Sequence, residues 1–470
     1  MLYKAIAGSE PFSPKNMTAY FDQYKEHYRS IIRLGIPIVI GQIGIVLVGL
    51  ADNIMVGQFN TLDLAAASFV NSSFNIPILF GLGFSYGLTP LVGQYFGRKN
   101  PVKVGQLLRN SLLVNLFIGI LLTLIMGIFY LNIEKMGQPE ELLPKIRPYF
   151  LLQLSSLIFV MLFNAFKQFS DGITNTRTPM FIMLSANLLN IIGNYILIYG
   201  KLGCPALGVT GAGISTLVSR IGMLAAFIIL FRKNNVYRPY LEGYKTTLYN
   251  KKDILSLNKM GWMVGIQMGL ETSLFSLTGI MVGWIGSIAL AAHQVVVAIS
   301  TLGFMVYYGV GAAISVRISN FFGQGDLTNI RKTTMAGFHL IIVLAILASS
   351  LFFFSRYSIG WLFTQSGDVV QLVSTLILLL LAFQIGDALQ ITYANSLRGI
   401  SDVVSMAVIS FIGYFVIALP ICYVCGFILD WGIVGIWTGY PIGLGITGLM
   451  LCVRYYYITG KMAKTQKQTN

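Results

Sequence analysis

The chain has 470 residues, of which 55% are hydrophobic and only 10% charged, with a mean hydropathy of +0.73 and a net charge of +15. Soluble domains carry ~25% charged residues, so a soluble globular protein is excluded. The basic excess would point to nucleic acid in a soluble chain, but here Lys and Arg gather at segment ends and in loops, as in membrane proteins, and no nucleic-acid partner is expected.

Residues 1–33 are polar and basic, with no short apolar core ahead of a small-residue cleavage site, so the first apolar segment is expected to be a retained span. A helix needs about 20 apolar residues to cross a bilayer. Twelve such stretches are predicted, at 34–58, 64–92, 107–131, 147–168, 178–200, 206–231, 259–285, 288–316, 333–356, 368–395, 403–429 and 432–457. The runs are continuously apolar rather than alternating, which selects helices over a β-barrel. An all-α polytopic membrane protein follows, with a segment 1–33, a first lobe 34–232, a linker 233–255, a second lobe 256–457 and a tail 458–470. Twelve spans put both termini on one side. That side collects nearly all the Lys and Arg, including Lys167 and Arg398, and only Lys135, Lys145, Arg147, Lys201 and Arg356 fall opposite, with Arg220 inside a span. The positive-inside rule then assigns both termini to the cytoplasm.

The two lobes are related by sequence. Ile54-Met55-Val56-Gly57 recurs as Ile280-Met281-Val282-Gly283, Leu64-Ala65-Ala66 as Leu290-Ala291-Ala292, and Tyr95-Phe96-Gly97 as Phe321-Phe322-Gly323, all at an offset of 226. Gly172-Ile173 matches Gly399-Ile400, and Gly208 with Gly211 matches Gly432 with Gly435. Six spans per half give both halves the same orientation, so a pseudo-two-fold along the membrane normal should relate them.

Three of the 17 acidic residues lie inside spans: Asp52, Glu271 and Asp387. A charge at bilayer depth costs at least ~2.5–3.5 kcal/mol, so each should face the bundle interior. Gln384, Asp387 and Gln390 share one helical face, Gln267 lies one turn before Glu271, and Gln42 and Asn53 add polar atoms to the first span. With no Lys or Arg expected beside them, such acids either keep a proton or hold a cation. Both couple naturally to an ion gradient, and a negative pocket suits a lipophilic organic cation.

Other polar groups are less specific. Asn190 and Asn194, a turn apart, either line a cavity or tie helices together, with Asn187 on the same span; His293 with Gln294 is either a proton or ion group or a packing residue. Arg220 either snorkels or pairs with a carboxylate. Gly435, Gly439 and Gly443 form a small-residue ladder for close helix packing, Cys422 and Cys425 read as packing residues, and Pro37, Pro77, Pro420 and Pro441 are candidate kinks. No cluster suits a metal enzyme and there is no phosphate-cradling P-loop, so neither catalysis nor ATP hydrolysis is expected.

The motifs together resemble the multidrug and toxic compound extrusion (MATE) family, and its NorM-type branch most. The resemblance rests on Pro37 with Gln42, Ala51-Asp52-Asn53-Ile54-Met55-Val56-Gly57, Leu64-Ala65-Ala66, Asn190 to Asn194 with Tyr195-Ile196-Leu197-Ile198-Tyr199-Gly200, and Leu207-Gly208-Val209-Thr210-Gly211-Ala212-Gly213. In the second half it rests on Glu271, Ala291-Ala292-His293-Gln294, and Asp387 ahead of Leu397-Arg398-Gly399. It implies two six-helix lobes in a V around a central cavity, exporting amphipathic cationic drugs or dyes from a bacterial inner membrane in exchange for Na⁺ or H⁺, with no organic cofactor. By position Glu271 and Asp387 resemble the family's cation-site acids, with Na⁺ the favoured ion, and Asp52 its N-lobe acid. Ser72 and Gln294 resemble cavity-lining positions of some members. The expected cavity set is Gln42, Ser72, Asn190, Asn194, Gln267, His293, Gln294, Phe383, Gln384 and Gln390, in a monomer. Asn194 stands where the DinF-type branch carries Asp, and Phe383 where some NorM-type members carry a tyrosine. A flippase of the same wider superfamily for lipid-linked oligosaccharide or polysaccharide is the alternative, although its members often carry basic cavity residues. A major-facilitator transporter and a lipid-modifying enzyme fit less well, since the acid pattern is foreign to the first and no catalytic constellation is visible for the second.

Overall fold

The computed structural model describes residues 20–246 and 249–469, so residues 1–19 of the N-terminal segment, with Lys4 and Lys15, lie outside the described residues. The described residues contain twelve helices long and apolar enough to cross a membrane. In chain order they are α1 (Lys25–Phe59), α2 (Thr61–Gly97), α3 (Pro101–Leu131), α4 (Leu143–Gly172), α5 (Arg177–Tyr199) and α6 (Val209–Lys233) in the first lobe. The second lobe has α7 (Lys251–Ile285), α8 (Ser287–Gln324), α9 (Leu327–Ser355), α10 (Gly367–Gly399), α11 (Val403–Ile428) and α12 (Gly432–Thr469).

Every predicted span is a helix, but several helices outrun their apolar stretch. Helix α1 starts at Lys25 rather than 34, α7 starts inside the expected linker, and α12 runs through the expected tail. Hydropathy marks only the part in hydrocarbon, whereas a helix continues into water for as long as its backbone bonds and packing support it. Part of the linker is helical too: a short helix, Leu241–Thr246, lies against α3. There Arg109 donates to the carbonyls of Tyr244 and Lys245 at 2.9 and 3.1 Å, and Lys103 pairs with Asp253 at 2.8 Å.

Each lobe has its own apolar core, one built around Phe74, Phe150 and Leu157 and another around Val296, Leu376 and Trp437. Large apolar residues such as Phe117, Leu124, Ile128 and Phe354 are exposed, which is untenable in water and natural against lipid. The glycine ladder of α12 packs on α11, facing Cys425, Cys422 and Ala418. The four cysteines are unpaired. Pro37, Pro77 and Pro441 lie inside helices, and Pro420 sits between two π-helical stretches of α11, Ile412–Ala418 and Val424–Ile428.

The repeat is visible in the backbone. Positive φ occurs at Lys99 and Gly325 (56° and 73°), at Thr174 and Ser401 (65° each), and at Gly208 and Gly432 (55° and 57°), at the offsets the sequence matches predict. The non-glycine members hold a left-handed conformation at some cost, so the same loop geometry is imposed in both halves.

The lobes meet along α1 and α2 on one side and α7 and α8 on the other. Among the described residues, side-chain hydrogen bonds between the halves are His27–Thr333 (3.1 Å), Tyr28–His339 (2.7 Å) and Gln94–Ser401 (2.7 Å), together with those that Lys103 and Asn110 of α3 make to Asp253 of α7 (2.8 and 3.2 Å). Phe80 and Phe84 meet the Trp262 ring, tilted and edge-on, with centroids 5.3 and 6.3 Å away. The tightest crossing is between the ends of α2 and α8. A Cβ on Gly97 would strike the Asn320 carbonyl, and one on Gly323 the Gln94 carbonyl, a pair related by the repeat. Only glycine permits backbones that close. All these contacts lie toward the face carrying the described chain ends, so the lobes are sealed there.

Candidate functional site

Helices α7, α10 and α11 assemble a polar cluster inside the second lobe. Glu271 Oε2 accepts from Gln267 Nε2 at 3.0 Å and from Gln390 Nε2 at 3.4 Å, and Gln390 also donates to the Tyr414 hydroxyl. Gln384, Asp387 and Gln390 are each 2% exposed or less, so the predicted stripe of α10 faces inward. Asp387 and Glu271 lie within electrostatic range of one another. Yet Asp387 Oδ2, Gln390 Oε1 and the nearby Tyr307 hydroxyl have no hydrogen-bond partner among the described residues. Buried polar atoms are nearly always paired, and these three oxygens around two carboxylates are of the kind that can accept a proton or face a cation.

Tyr414 was not among the predicted residues, and it lies on the π-helical stretch of α11. A π-turn adds a residue per turn and re-aims side chains, so no 3.6-residue pattern reveals it. Arg398 corrects the expectation of acids free of cationic neighbours. It is 7% exposed rather than in a basic loop, donates to Gln267 Oε1 at 3.2 Å, and is within electrostatic range of Glu271. Helix α10 continues past the apolar stretch to Gly399, and a helical side chain leans toward the N-terminus, which turns the guanidinium back into the lobe. Lys167 is likewise not a loop cation, because it is buried in an ion pair with Asp171 at 2.8 Å.

The first lobe holds a separate cluster. Asp52 Oδ1 accepts from Asn194 Nδ2, and with the Asn190 amide turned to suit its neighbours Asn190 donates to the same oxygen at 2.9 Å while accepting from Thr216. Arg220 neither snorkels nor ion-pairs: it donates to Gln153 Oε1 at 2.9 Å and to Ser156 Oγ, with Asp52 in electrostatic range. Gln153 donates to the Tyr149 hydroxyl at 3.0 Å and Tyr149 to Asn71 at 3.2 Å, extending the network to α2. Asn71, Tyr149, Gln153 and Thr216 went unpredicted, because a single polar residue in an apolar span carries no periodic signal.

The remaining candidates are dispersed. Ser72 and Gln294 are exposed and Gln42 is half-buried. His293, 2% exposed, meets the Trp437 ring edge-on at 5.7 Å, and Phe383 packs between Phe275 and Tyr440. Both pack against aromatic rings in the interior of the second lobe, and His293 Nδ1 has no hydrogen-bond partner among the described residues.

Two six-helix halves repeated about an axis along the membrane normal, each enclosing an acid at bilayer depth, define the class: a polytopic membrane protein of secondary-transporter architecture. The MatE family model matches residues 37–196 and again 264–424, once in each half. The chain is 30% identical to "Multidrug resistance protein NorM" of Vibrio cholerae, covering 93% of this chain and 96% of that one, and 29% identical to the NorM of Photobacterium profundum over the same shares. Among solved structures it resembles a mutant of the Vibrio cholerae MATE transporter VcmN, with a TM-score of 0.85 at 18% identity over 93% of this chain and 98% of that one. It also resembles the eukaryotic MATE transporter AtDTX14, with a TM-score of 0.84 at 17% identity over 94% and 99%. The chain belongs to the MATE family of transporters, on its NorM-type branch.

Proposed function

We propose that this protein is a secondary active multidrug efflux transporter of a bacterial inner membrane. It exports amphipathic organic cations in exchange for Na⁺ or H⁺ by alternating access of its two lobes, as a monomer with both termini cytoplasmic. The observation that carries this reading is Asp387, 1% exposed, beside Glu271 and with an unpartnered oxygen. Two acids at bilayer depth are not stable together as bare anions, and the single Arg398 guanidinium near Glu271 offsets at most one charge, so the other is matched by a proton, a metal ion or an organic cation. Exchange among these occupants is antiport. Entry of a cation down the membrane potential releases ~2.3 kcal/mol per charge per 100 mV, which drives drug outward. Na⁺ is the favoured coupling ion: the cluster offers carboxylate, amide and hydroxyl oxygens, all hard donors. The seal on the face carrying the chain ends supports a cleft open to the opposite side, the arrangement in which drug leaves and the coupling ion enters. The relatives' names, which say multidrug resistance, agree with this substrate class.

The test is efflux of a fluorescent cationic dye from proteoliposomes with a Na⁺ or H⁺ gradient imposed separately. Export driven by one gradient and lost in Asp387→Asn is expected. An inserted protein that moves no cationic dye under either gradient rejects the reading and directs attention to lipid-linked oligosaccharide substrates.

A further inference from the structure

The seam that closes the lobes obeys the repeat in its backbone and breaks it in its side chains. On one side Gln94 of α2 donates to Ser401 of the α10–α11 loop at 2.7 Å. At the repeat offsets the counterparts are Asn320 of α8 and Thr174 of the α4–α5 loop. Asn is one methylene shorter than Gln, and among the described residues this second latch is not made; the Oδ1 of Asn320, a residue 5% exposed, has no hydrogen-bond partner either. Instead a cavity of about 530 Å³ separates the two and is lined by both.

This cavity straddles the lobes and carries two cations, Lys99 from the first and Arg317 from the second. Among the described residues neither belongs to a salt bridge, and the buried Arg317 Nε has no hydrogen-bond partner. Glu26 is the acid within electrostatic range of Arg317, and the guanidinium lies over the Phe321 ring, 4.6 Å from its centroid. Phe96, Phe321 and Tyr240 supply apolar walls. A buried guanidinium donor with no acceptor is costly, and Arg317 lines a space large enough for a small ligand.

We propose that this cavity is a binding site for an anionic amphiphile, a phosphate or carboxylate head bridging Arg317 and Lys99 with its apolar part against the aromatic walls. Arg317 recognises the head through its planar fork of donors, and Asn320 turns its amide nitrogen toward the same oxygens. Because the head touches both lobes, an occupied site fastens the seam on the side where the repeat leaves it unlatched. The same chemistry is offered by a phospholipid headgroup of the adjacent leaflet and by a free phosphorylated metabolite. The site lies at the sealed end, apart from the buried acids, and its existence does not depend on what those acids exchange.

The probe is octyl phosphate, titrated into the purified full chain with octyl glucoside as the neutral control of equal chain length. Saturable binding of octyl phosphate alone is expected, weakened about tenfold or more in Arg317→Gln and in Lys99→Gln, as loss of one charge-assisted contact implies. Bound probe should also slow hydrogen exchange at residues 94–100 and 317–324 together. Lys99 is exposed, so Lys99→Gln reads the site without risk to folding, and Asp387→Asn should bind as wild type. Competition by inorganic phosphate identifies a soluble ligand, and occlusion in phosphatidylglycerol but not phosphatidylcholine nanodiscs identifies a lipid. Binding that is equal in wild type and both charge variants, equal for octyl glucoside, or displaced by neither competitor overturns the proposal.

Discussion

The acid of the first lobe and the acids of the second differ in how completely the protein satisfies them. Asp52 is alone and half-buried, with amides of Asn194 and Asn190 both on one oxygen. Asp387 is almost wholly buried beside a second carboxylate and keeps a free oxygen. At the repeat offset Asp52 corresponds to Thr278, which bonds Tyr440, and Glu271 to Ile45, so neither acid has an acidic partner in the other half. A duplicated scaffold has thus been given two unlike sites. Asp52 and Glu271 are held by amides of their own lobes, whereas Asp387 keeps an oxygen that no described residue meets.

The comparison is broken most severely by Asp387→Asn. Removing the charge that faces the orphaned oxygens should cost about 3 kcal/mol of cation binding, about 100-fold, read as loss of gradient-driven dye efflux, while Asp52→Asn, whose amide partners remain, should cost about tenfold or less. An equal loss in both variants would dissolve the distinction. Asn194→Leu tests the opposite half of the contrast. It leaves Asp52 short of a donor and should lower stability by about 1–3 kcal/mol, seen as a reduced thermal midpoint in detergent.

Arg398→Gln sharpens the comparison by sign. Taking away the cation near Glu271 should raise the affinity for the coupling ion by about three- to tenfold, so Na⁺ titrations of efflux shift to lower concentration. A shift to higher concentration would mean that Arg398 organises the site rather than competing for it. Tyr414→Phe gives an effect of similar size. One hydrogen bond to Gln390 is lost, worth about 1 kcal/mol, and the half-saturating ion concentration should move by about fivefold.

Gly97→Val probes the seam rather than the acids. The side chain meets the Asn320 backbone, and overpacking of this kind costs about 1–3 kcal/mol, so cysteines placed near the α2–α8 crossing should label faster than in the parent protein.

Much of this was legible in the chain. Twelve apolar runs and matches at one offset determine the span count and the repeat, because hydrocarbon tolerates only continuous apolar helices and a duplicated half must repeat its turns. Asp52, Glu271 and Asp387 announce themselves since an acid in an apolar span needs a reason. The neighbours of those acids were decided only by tertiary structure. Arg398 reads as a loop cation until α10 is seen to carry it inward, Tyr414 is aimed by a π-turn, and only the fold shows that Trp437 and Tyr440 lie against His293 and Phe383. Hydropathy measures each residue against lipid and water alone, whereas the partner a buried polar atom finds depends on helices far away in sequence.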